Sequence, residues 1–132
     1  MSRTGPVAPE SLRWGVVVAC AAVILVASVV DTGGGPPRTL FGVGLAGYLH
    51  LAGYAGLAGA VGFALRRADH RGLLLAVGAA VCYGLAIEVV QAPLPYRTAS
   101  ILDALVNAAG AVVGASLWRA VAPGSALDRT PT

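Results

Sequence analysis

The sequence predicts an all-α integral membrane protein, an antiparallel bundle of four transmembrane helices, and three observations carry that prediction. The first is composition. Of 132 residues, 57% are hydrophobic and only 11% charged, with a mean hydropathy of +0.77, which leaves too little polar surface for a soluble globule. The second is a set of four apolar runs at residues 14–30, 41–65, 72–90 and 101–121. At ~1.5 Å per residue, each helix would be about 25 to 37 Å long and could cross a hydrocarbon core about 30 Å thick. The third is the punctuation between the runs: DTGGGPPRT with its Gly and Pro breakers, RRADHR, and APLPYRTAS, where Pro93 and Pro95 disfavour helix.

In chain order, residues 1–13 read as a polar cytoplasmic tail, 14–121 as the transmembrane domain and 122–132 as a second tail. The first run follows Arg13 and contains Val26-Ala27-Ser28, a weak likeness to a cleavage site, but it is longer than the usual signal-peptide core and reads as a helix. In the second run Gly44, Gly47, Gly53, Gly56, Gly59 and Gly62 fall on a spacing of three, with His50 in one slot, forming a ridge of small residues against which other helices can settle. All nine basic residues are Arg. Seven lie in the tails, the second connection and the last turn of the fourth run, and only Arg38 and Arg97 lie at the other end. The positive-inside rule therefore expects a multi-pass protein of the cell membrane with both termini cytoplasmic.

The dispersed net charge of +3 has no basic cluster beside aromatics, which excludes nucleic-acid binding. Cys20 and Cys82 lie alone in apolar runs and are expected to be small buried hydrophobes. No metal set, cofactor motif, nucleophile triad or phosphate loop is present in the sequence.

The informative residues are polar ones at membrane depth, where an ionisable group is expensive and normally faces protein or water. Gly84, Glu88 and Gln91 share one side of the third helix; Asp103, Asn107, Gly110 and Gly114 share one side of the fourth; His50 and Tyr54 share one side of the second. With Arg97 they are expected to converge near the outer end. Two readings stand for each. Asp103 follows Ser100 at capping-box spacing, and Glu88 with Arg97 could be a structural clasp. Asn107 could be interhelical glue, and His50 with Tyr54 a satisfied polar pair. Gly110 and Gly114 read as a helix-packing surface.

The series Glu88-x2-Gln91-x5-Arg97-x2-Ser100-x2-Asp103-x3-Asn107-x2-Gly110-x3-Gly114 resembles the signature of the VanZ-like membrane protein family, over a motif region of residues 83–118. His50 and Tyr54 are similar to the His-x3-Tyr of the family's earlier helix, while Ala46 and Gly47 replace an Asp-Lys pair common in the family. The resemblance implies a small cell-envelope membrane protein, with a link to glycopeptide antibiotic resistance through the family's namesake. It supplies no catalytic residue.

The leading functional expectation is a non-enzymatic protein whose outward pocket binds a membrane lipid or lipid-linked envelope precursor. His50, Tyr54, Glu88, Gln91, Arg97, Asp103 and Asn107 would line it, with Arg97 as a bidentate contact to a phosphate or carboxylate. Two alternatives follow from the same residues. One is an enzyme acting on a lipid-linked substrate, with Glu88 as general base. The other is a proton-coupled carrier using His50 and Glu88, for which four helices would need to form a homo-oligomer to enclose a path.

Overall fold

The computed structural model describes residues 8–31, 38–97 and 100–122, so most of both expected tails and the middle of the first connection lie outside the described residues. Four helices account for most of the rest: α1 (Glu10–Val29), α2 (Leu45–Leu65), α3 (His70–Gln91) and α4 (Ile101–Val121). Each is long and apolar enough to cross a membrane. Helix α1 begins four residues before the apolar run because Pro9, fixed in φ, suits the position just ahead of a helix, and Glu10 places an acid in the first turn.

The second apolar run is only partly helical. Thr39–Leu40 (β1) and Val43–Gly44 (β2) form a minimal antiparallel ladder, joined by a two-residue turn in which Phe41 (φ 52°) and Gly42 (φ 78°) both adopt positive φ. That turn is the mirror-image type suited to tight hairpins. Consequently α2 starts at Leu45, and His50 lies about 7.5 Å below its start by helical rise, shallower than a helix from residue 41 would place it. Arg66 (φ 54°) ends α2 in the left-handed conformation, and Asp69 caps α3 by accepting from the Gly72 amide at 3.1 Å.

Consecutive helices run antiparallel, so α2 and α4 run parallel, and these two make the most intimate pair. A Cβ at Gly110 would overlap the Leu51 carbonyl, and one at Gly114 the Ala55 carbonyl, so only glycine permits the approach. Gly59 contributes from the α2 side, facing the Gly114 carbonyl, and Gly62 lies under Trp118. The glycine ridge of α2 does not face one neighbour. A step of three residues turns a helix by about 300°, so the ridge winds around the helix: Gly53 meets Ile24 of α1, Gly56 is open, and Gly59 meets α4.

The Arg66–Arg71 end is tied by Arg13 donating to the Ala64 carbonyl, by Trp118 Nε1 donating to the Arg67 carbonyl at 2.9 Å, and by an edge-on Phe63–Trp118 contact. Cys20 is half-buried and packs against the core, whereas Cys82 is exposed on α3, which corrects the expectation that both are small buried hydrophobes. An apolar solvent makes no distinction that would force a small thiol inward.

Candidate functional site

The expected polar residues separate into two groups at the Arg38–Arg97 end. The first joins α2, α3 and α4. His50 Nδ1 lies 3.0 Å from Asn107 Oδ1, tying the two parallel helices roughly 8 to 9 Å below their starts by helical rise. Because an amide oxygen only accepts, the imidazole Nδ1–H is the donor, and in the neutral ring Nε2 is left as an acceptor. Asn107 is buried, at 4% exposure.

One turn along α2, Tyr54 stacks on His50 with ring centroids 6.3 Å apart and planes within 5°. Helical side chains lean toward the helix N-terminus, so the Tyr54 ring rises toward the same end as His50. Its tip lies over Gly84 of α3, where an added Cβ would come within 3.1 Å of Cε1 and 3.4 Å of the hydroxyl. Glu88 is one turn above Gly84 on the same side of α3. Tyr54 is 1% exposed, yet its hydroxyl has no hydrogen-bond partner among the described residues.

The second group belongs to α1. The last carbonyls of a helix lack intrahelical partners. Four side chain donations meet the four carbonyls that end α1: Arg97 Nη2 donates to Ala27 (3.0 Å) and Val30 (3.1 Å), Gln91 Nε2 to Ser28 (2.8 Å) and the Tyr96 hydroxyl to Val29 (2.9 Å). Gln91 is buried at 7% exposure and Arg97 half-buried. These two, expected to face a ligand, instead close a helix.

Arg67 and Asp69 form an ion pair at the far end, and among the described residues none joins Arg97 to Glu88 or Asp103. Both protons of Arg97 Nη2 are engaged with carbonyls. Each of the two bidentate edges of a guanidinium includes that nitrogen, so as placed Arg97 presents no fork to a phosphate. Asp103 sits in the first turn of α4, where Ser100 Oγ accepts from its amide at 3.4 Å, so half of the capping box is formed. It is half-buried one turn above Asn107.

Tyr96 and the carbonyls that end α1 take part as well, and the polar pattern of the sequence singles out neither. A signal was present: α1 ends without a basic residue in its last turn, so its carbonyls had to find donors elsewhere. Gly84 is the seat of the Tyr54 ring as well as a neighbour of Glu88.

No curated protein and no solved structure matches the chain. A family match does exist, to the family described as VanZ/LLP1, over residues 25–122. It opens in the last turn of α1, just before the carbonyls that Gln91, Tyr96 and Arg97 hold, and takes in both polar groups. By that match, which spans most of its length and takes in α2, α3, α4 and the end of α1, the chain belongs to the VanZ/LLP1 family.

Proposed function

We propose that the His50–Tyr54–Glu88–Asn107 cluster binds the polar group of a membrane lipid or lipid-linked envelope molecule. The protein resides in the cell membrane with both termini cytoplasmic, so that the cluster lies in the outer half of the bilayer. The observation that carries this reading is the Tyr54 hydroxyl, buried against Gly84 of α3, one helical turn below Glu88, and without a hydrogen-bond partner among the described residues. Leaving such a group unsatisfied costs about 1 to 3 kcal/mol, which a bound polar group would recover. Asp103, one turn above Asn107, stands at the entrance from the membrane surface. Gln91, Tyr96 and Arg97 act behind the cluster by fixing α1 against the top of α3. The orientation rests on the arginine distribution, seven against two.

The test is mass spectrometry of lipids that co-purify with the wild-type protein and with Tyr54→Phe. Loss of a lipid species in the variant, with folding intact, is the expected result. The same lipids in the same amounts on both proteins would end this reading.

A further inference from the structure

Resting on that reading, we propose that the group the cluster recognises is a primary ammonium, as in the head of an aminated lipid, rather than a phosphate. The described side chains at the site offer acceptors. The Glu88 carboxylate has no ion-pair partner among the described residues. The Tyr54 oxygen, one turn below it, has no partner among the described residues, and His50 turns Nδ1 to Asn107 Oδ1 at 3.0 Å, so Nε2 is the ring nitrogen left to meet a ligand.

Cations are directed elsewhere. Arg97 turns its Nη2 onto the end of α1, the chain has no Lys, and Arg13, Arg66, Arg67, Arg71 and Arg119 lie at the opposite end of the bundle. Arg38 is exposed, beyond the start of α2. A carboxylate at membrane depth needs a counter-charge or a proton, and an ammonium brings both a charge and three N–H donors for three acceptors. A phosphate would meet the Glu88 charge with no bonded cation to offset it. The Asn107 amide nitrogen is then free to donate to an oxygen carried beside the ammonium.

The full-length protein, delipidated in a neutral detergent, can be titrated with short-chain phosphatidylethanolamine, phosphatidylcholine and phosphatidylglycerol under native mass spectrometry, with free ethanolamine as a separate arm. Phosphatidylethanolamine should bind in preference to the other two, because choline offers no N–H and the glycerol head is anionic. Glu88→Gln and Tyr54→Phe keep shape and should remove the preference, Glu88→Gln by about tenfold or more in Kd, as expected for a charge-assisted hydrogen bond. Binding of free ethanolamine would keep the ammonium assignment and give it to a soluble amine. Equal or stronger binding of phosphatidylglycerol that still depends on Tyr54 would overturn the ammonium proposal while leaving lipid binding at the cluster intact. Binding of every lipid unaffected by either substitution would overturn both.

Discussion

Tyr54 carries a hydroxyl that no described residue bonds. Its ring is used, filling the space over Gly84 and stacking on His50, so Tyr54→Phe removes one atom and no packing. The delipidated Tyr54→Phe protein should therefore be more stable than wild type, by about 1 to 3 kcal/mol, the usual cost of an unsatisfied buried polar group. Thermal unfolding in detergent measures this, and a loss of stability would mean the hydroxyl has a structural partner. Asn107 differs, because its bond to His50 is formed within the fold. Interhelical hydrogen bonds in membranes average only ~0.6 kcal/mol, so Asn107→Leu should leave stability nearly unchanged while lowering lipid occupancy. If stability fell sharply and occupancy did not, Asn107 would be glue. Arg97→Ala should cost more than Arg38→Ala, about 1.5 to 3 kcal/mol for charged hydrogen bonds to the end of α1, and equal melting temperatures of the two variants would contradict that role.

Among the elements, the pairing of α2 with α4 depends on glycines whose environments differ enough to be separated. Gly114→Ala already sets a methyl against the Ala55 carbonyl, and Gly110→Ala against that of Leu51; neither backbone can yield as a side chain would. Each should destabilise by at least the 1 to 3 kcal/mol, roughly, of an overpacked core. Gly56→Ala and Gly78→Ala have open space and should be neutral or mildly stabilising, since Ala is the better helix former. Detergent melts of the four variants decide it, and a uniform effect would rule out the close approach. The start of α3 gives a pH dependence. The Arg67 guanidinium, and after it the Gly72 amide, hold the Asp69 carboxyl below its ordinary value of 3.8. A depressed folded value means this stabilisation is present above about pH 4 and fades as pH falls through the folded value. Acid should thus loosen the α2–α3 turn in the wild type, and Asp69→Asn should flatten the low-pH part of the stability curve.

Over the whole molecule, what was legible in the sequence follows from what membranes constrain. A bilayer fixes helix length and penalises exposed backbone, so four apolar runs gave four helices, and small residues on the α4 stripe gave its packing face. Phe41 to Gly44 were not legible as a hairpin because the turn residues there are themselves apolar, and hydropathy alone continues the run. That His50 and Tyr54 share one face of α2, and that Asn107 faces inward from α4, was readable from helical spacing. The destination of Gln91 and Arg97 was not: charge pattern pointed Arg97 to the two acids, whereas its partners are backbone carbonyls of a helix some 67 to 70 residues earlier, which carry no side-chain signal.

Orientation is the property of the whole bundle on which the functional reading turns, because it decides which side of the membrane can load the cluster. His50, Glu88 and Asn107 all lie within roughly 10 Å of the ends of their helices nearest Pro95, by helical rise. The hairpin at Thr39–Gly44 lies at the same end and exposes Phe41 at 92%, suited to the headgroup region where amphipathic and aromatic anchors collect. The opposite end carries Arg66, Arg67 and Arg71 around the start of α3, and positive charge resists translocation. In a background lacking Cys20 and Cys82, a cysteine at His70 should react with an impermeant thiol reagent only after the cytoplasmic face is opened, and one at Pro95 in intact cells. Both positions are exposed, so accessibility would not confuse the result. The reverse pattern would leave the bundle standing, but it would turn the cluster toward the cytoplasm, and a ligand from the outer leaflet or the envelope could no longer reach it.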